Sequence, residues 1–158
     1  MSGPAYDLLV VAHVLSAVIG FGAVGASGLY ASRARSLGRP QVSASLRRYF
    51  APGRNWAARS LLLTPVLGGI LLGAGDRPAA AAAWPWIGLG VWLLAAAVVS
   101  AVCWPAERAV QAELAREDVQ AGEGEAALRA ACRRLEKGAA VVSVLFVVAL
   151  VVMIAQPG

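Results

Sequence analysis

The sequence predicts an all-α fold: one integral membrane domain, a bundle of four transmembrane helices with both termini extracytoplasmic. Three observations predict it. Four apolar runs, at about residues 8–31, 56–73, 86–104 and 138–155, have the length a helix needs to cross a hydrocarbon core of roughly 30 Å. The chain is 59% hydrophobic and only 15% charged, with a mean hydropathy of +0.67, whereas a soluble domain has about a quarter of its residues charged. Finally, the connection 32–55 carries Arg33, Arg35, Arg39, Arg47, Arg48 and Arg54 without one acidic residue, the pattern that keeps a short loop on the cytoplasmic side.

The first span, LLVVAHVLSAVIGFGAVGASGLYA, has no charged residue and is bracketed by Tyr6 and Tyr30. Ala12, Ser16, Gly20, Gly28 and Ser32 recur at multiples of four, a ridge of small residues on which a second backbone can approach closely. Replacing Gly20 by leucine is expected to be more disruptive than Val24→Leu, if the side of Val24 faces lipid. In the loop that follows, Gly38 to Pro40 break the helix, and Pro40 can open a short helix through Phe50. On that helix Leu46, Tyr49 and Phe50 would lie at the interface while the arginines meet headgroups; the plainer reading is a solvated basic loop that only fixes topology.

The second span, WAARSLLLTPVLGGILLG, has Arg59 one turn from its cytoplasmic end, where it can snorkel, and Pro65 near its middle. Gly69 and Gly73, four apart, suggest a kinked helix packed closely on a neighbour. A turn around Asp76 and an alanine run lead to Trp84 and Trp86, an outer aromatic belt. The third span ends at Trp104 and Pro105. Residues 107–137 are polar, with helix formers on either side of Gly122 and Gly124, so they form a helical hairpin supported by pairs such as Glu125 and Arg129. The last span, 138–155, is rich in Val, Leu and Ile.

Several function classes are excluded. The net charge of +5 and pI near 10.0 come from arginines placed between apolar runs, as a bilayer requires, so no nucleic-acid partner is expected. Cys103 and Cys132 are too few and too far apart for a disulfide framework or zinc motif. MSGPAYD lacks the basic start of a signal peptide, and the first span is expected to be retained. The spans contain no acidic residue, which argues against a carboxylate proton relay, and no phosphate loop, paired carboxylates or Ser-His-Asp set occurs.

One chemistry-bearing position stands inside a span. His13, the only histidine, lies about two turns from the outer end of the first span. Met153 lies about one turn inside the outer end of the fourth, at a similar depth if those helices are neighbours. An imidazole and a thioether can ligate haem iron or copper(I). Equally, a neutral histidine satisfies itself against Ser16, a carbonyl or water, or contacts a proton or substrate, and a methionine fills a core.

A histidine in AHVLSAVIGFGAVGASGLYASRAR, an arginine entering NWAARSLLLTPVLGGILL, a third span ending WPAERAV and a last span ending VVMIAQPG together resemble a bacterial family of predicted four-helix integral membrane proteins of unknown function. That family is similar to the CopD-like copper-resistance membrane proteins and, more distantly, to the HemJ-type haem-binding protoporphyrinogen oxidase. The resemblance covers nearly the whole chain and implies a multi-pass protein of the bacterial inner membrane. It implies His13 as an axial haem ligand. The relative's second functional residue, a lysine of the third span, has no counterpart in WIGLGVWLLAAAVVSAVCW, and Gln156 stands where the family's last span carries lysine. The expected function is therefore an accessory or small-ligand-binding component, with a membrane-protein partner or a second copy of itself, rather than a self-contained enzyme. The alternative is a haem- or copper-binding redox or transport protein, with His13 and Met153 binding the cofactor and His13 the metal ligand.

Overall fold

The computed structural model describes residues 3–37, 41–51, 56–74, 82–116 and 123–156. Helix α1 spans Pro4–Leu37, a short α2 Ala44–Tyr49, and α3 Leu63–Ala74, entered through a 3₁₀ segment, Ala57–Leu62. The third span begins as α4, Trp84–Val98, passes through a π-helical turn at Val99–Cys103 and continues as α5, Trp104–Ala115. Helix α6, Glu123–Ala155, completes the chain, and no strand occurs among the described residues. Gly38–Pro40 with Arg39, Arg54, the turn around Asp76 with the alanines through Ala81, and the hairpin tip at 117–122 lie outside the described residues. Four helical stretches are long and apolar enough to cross a membrane.

At 34 and 33 residues, α1 and α6 run about 50 Å each, well beyond a hydrocarbon core of roughly 30 Å. The polar hairpin predicted after Trp104 thus continues the helices of the third and fourth spans. Arg129 Nε donates to Glu125 Oε1 at 2.8 Å, the expected pair. This extension holds the densest packing. Five of the largest fully buried side chains, Phe50, Val110, Leu128, Cys132 and Leu135, lie there. Helix α2 closes it: Ser43 Oγ accepts from Leu46 N, Leu46 and Phe50 are buried, and Tyr49 stacks on Tyr30 with ring centroids 4.0 Å apart. Arg47 Nη1 donates to the carbonyl of Leu114 at 2.8 Å, satisfying the C-terminal end of α5 where a cation is favoured. The solvated-loop reading of 41–51 is therefore corrected, because its apolar residues find a core to fill. Its helix also starts after Ser43 rather than at Pro40, since Ser43 supplies the cap.

Within the apolar layer α1 packs on the second span and on α6, and the third span packs on α6; close backbone contact between the second and third spans is sparse among the described residues. The small-residue ridge serves two partners. A Cβ at Gly20 would lie 2.5 Å from the Leu61 nitrogen, and one at Gly28 2.5 Å from Ala139 Cβ, so the backbone of α1 touches the second span at one glycine and α6 at the other. The condition set for Val24 is not met, and one expectation fails. Val24 is 3% exposed, as its place four residues from both glycines requires, and does not face lipid. Gly69 and Gly73 have open space before them; the close approach falls one residue earlier, at Gly68.

Two prolines leave carbonyls short of an intrahelical donor, and a neighbouring helix supplies each. Pro65 has no N–H for the Leu61 carbonyl four residues back, and Trp92 Nε1 of α4 donates to it at 3.0 Å. Pro105 likewise cannot serve Ala101, inside the π-helical turn, and Arg134 Nη2 of α6 donates there at 3.3 Å. Trp92 is thus a polar bridge between the second and third spans.

Candidate functional site

The site grows from the packing of Gly20 on Leu61, which brings the hydroxyl-bearing face of the second span against α1. Ser60, Thr64 and Gly68 recur every four residues and form that face. Ser60 Oγ has one hydrogen to share between the Ala57 carbonyl at 2.7 Å and the Ser16 carbonyl at 3.2 Å. Ser16 Oγ donates to the His13 carbonyl at 2.8 Å, so its 3.2 Å contact with Thr64 Oγ1 is one in which threonine donates.

His13 tops this ladder. Its Nδ1 lies 2.9 Å from the Thr64 carbonyl oxygen, and a carbonyl only accepts, so Nδ1 carries the hydrogen. In the neutral ring that leaves the lone pair on Nε2, and no described residue bonds it. The ring lies over Gly68, where a Cβ would come 3.1 Å from Cε1, closer than ordinary van der Waals contact, so the glycine gives the imidazole its room on this helix. The side chain is part-exposed rather than sealed in a core.

The register of Gly28 against Ala139 and Gly25 against Ser143, carried toward the termini, brings His13 level with the last turn of α6. Met153 sits in that turn, as the counting of depths anticipates. The two side chains nevertheless have different neighbours: a Cβ at Gly88 of α4 would lie 2.8 Å from Met153 Cε, whereas His13 faces Gly68. The structure thus sets both residues in one layer and in separate seams. No three His, Cys, Asp or Glu gather as a metal cage among the described residues. Cys103 and Cys132 are buried free thiols remote from this layer; Cys103 packs where a Cβ at Gly138 would meet its Sγ at 2.9 Å. In the extension, burial pushes Cys132 up to about 11, opposed by Arg35 and assisted by Glu136 and Glu125.

Thr64, Ser60 and Gly68 were outside the sequence-derived site. Their four-residue recurrence was the available signal, masked by the more conspicuous pair Gly69 and Gly73.

Four long apolar helices meeting through glycines and hydroxyls define a polytopic integral membrane protein. More narrowly, the chain belongs to the DUF2269 family of predicted integral membrane proteins, whose profile matches residues 7–157. No curated protein and no solved structure matches it.

Proposed function

We propose that this protein is an accessory, small-ligand-binding component of the bacterial cytoplasmic membrane, with His13 as the ligand contact. One observation carries the reading: donation from Nδ1 to the Thr64 carbonyl fixes the tautomer and orientation of the ring and leaves Nε2 to engage a ligand. A histidine serving only to hold the helices together has no need of its second nitrogen, and an intramembrane ionisable group is a site hypothesis by default. The arginines of the 32–55 connection support a cytoplasmic location for that end, with both termini outside. As an accessory component the protein serves a membrane-protein partner or a second copy of itself.

A second reading, haem or copper binding at His13, is favoured by the same hydrogen bond, since a backbone carbonyl on one imidazole nitrogen is the usual support of a ligating histidine. Of the two, haem fits the residues better. It would need from the protein one nitrogen, which His13 would supply, whereas copper(I) would draw on Met153, which is packed against Gly88 in another seam. Haem bound there would supply a redox-active iron.

The test is ligand binding by the purified full chain in detergent. Absorption spectra and metal analysis after incubation with haem, and separately with copper(I), should reveal stoichiometric binding that His13→Ala abolishes if the second reading holds. Binding of some small ligand that survives His13→Ala unchanged would remove His13 from the site and refute the primary reading.

A further inference from the structure

We infer that the ligand of His13 is an uncharged, membrane-dissolved molecule that donates a phenolic hydroxyl, of the hydroquinone type. The inference rests on the reading of His13 as the ligand contact and adds the chemistry of what is bound.

The direction of the hydrogen bond comes first. Because the Thr64 carbonyl can only accept, the hydrogen of the neutral imidazole stays on Nδ1, and Nε2 is an acceptor. Its partner must donate. Charge comes second. The network around the ring consists of the hydroxyls of Ser16, Ser60 and Thr64 and of backbone carbonyls, with no charged side chain in it. An ionic ligand would be desolvated there without a counter-charge, which is costly, whereas a neutral hydroxyl loses only the bond that Nε2 restores.

The route comes third. The exposed residues beside His13 on its own side of α1 are Val10 and Val14, both apolar, so the part-exposed ring borders a lipid-facing strip of the helix. Its level, that of the last turn of α6 and of Met153 against Gly88, is about two and a half turns of α1 from the start of that helix. An amphiphile with its polar head near the interface and its tail in hydrocarbon presents a hydroxyl at that depth. A phenol, far more acidic than an aliphatic alcohol, is the stronger donor to an imidazole nitrogen.

The single histidine makes the test specific. The full chain, labelled with nitrogen-15 in histidine, shows two ring resonances in lipid nanodiscs, both from His13. Decylhydroquinone should move Nε2 upfield in a saturable way with Nδ1 left bonded, while its dimethyl ether and dodecanol leave Nε2 in place. Equal movement with the ether shows that no hydroxyl is donated, and equal movement with dodecanol shows that the phenol is not selected; either overturns the inference. If haem binds through His13 and decylhydroquinone has no effect, the inference falls while the ligand-binding reading stands. If neither decylhydroquinone nor haem nor copper(I) perturbs either nitrogen, both fall.

Discussion

Replacing Gly20 by alanine tests the contact that builds the site. The added Cβ would lie 2.5 Å from the Leu61 nitrogen and 2.8 Å from its Cα, both backbone atoms that cannot swing aside. Restoring a carbon contact of about 3.5 Å requires the helices to part by roughly 1 Å, a gap that already forfeits a quarter to a half of the dispersion attraction between facing atoms. Overpacking of this kind costs about 1–3 kcal/mol, against which the better helix propensity of alanine returns at most about 1. The net expectation is a destabilisation of about 1–2 kcal/mol. Gly22 is the control two residues away, with open space where its Cβ would be; Gly22→Ala should be neutral or slightly stabilising. Unfolding of the two variants and the parent in mixed micelles, followed by helical circular dichroism, measures the difference. The bonds of Ser60 to Ser16 and of His13 to Thr64 cross the same interface, so Gly20→Ala should also disturb the His13 ring nitrogens. Equal stability of Gly20→Ala and Gly22→Ala would refute the close approach.

Trp92→Phe keeps an aromatic ring and removes the donor to Leu61, so it should cost about 1–2 kcal/mol in the same unfolding assay, and less in a Pro65→Ala background where residue 65 regains its N–H. Tyr49 is pushed up from 10.0 to about 12 by burial, then by the charge of Glu107 and by Tyr30. Because the folded state holds the phenol neutral, its contribution is complete below pH 10 and is lost as pH rises toward 12; stability measured by the same unfolding assay should fall over that interval by more in the parent than in Tyr49→Phe. Reporter fusions should read cytoplasmic after Arg48 and Gly124 and extracytoplasmic after Asp76 and at the C-terminus, and a cytoplasmic C-terminus would overturn the orientation.

The four spans were legible because hydrocarbon imposes a length and an absence of charge that few other sequences meet. The ridge on α1 was legible for a related reason, since backbone contact demands small residues at helical spacing. Its use by two different partners was not, because spacing states that something approaches and leaves open what. Val24 shows the limit: the sequence left open whether its side faces lipid, and Gly20 and Gly28 draw both neighbours in around it. Arg47 was read as a topology signal, and its second role at the carbonyl of Leu114, like that of Arg134 at Ala101, depends on which carbonyls lie within reach. His13 was legible as an isolated polar group in an apolar run. Its partner was not, because a backbone carbonyl leaves no mark in the sequence.

The two ends of the molecule are held together differently, and this bears on why the histidine lies where it does. Around Leu128, Leu135, Val110 and Phe50 the chain fills a core with branched and aromatic side chains, so any added group there would displace well-packed atoms. Toward the termini, α1 meets its neighbours through Gly20, Ser16 and the imidazole over Gly68, and many large side chains point outward: Val14, Leu15 and Val18 on α1, Val66 and Ile70 on α3. Helices joined by backbone contact and a few hydroxyls keep their spacing without a filled centre. A ligand of the proposed kind reaching Nε2 from lipid would therefore replace acyl chains rather than protein core, and the packed extension at the arginine-rich end would keep the fold in place while it did so.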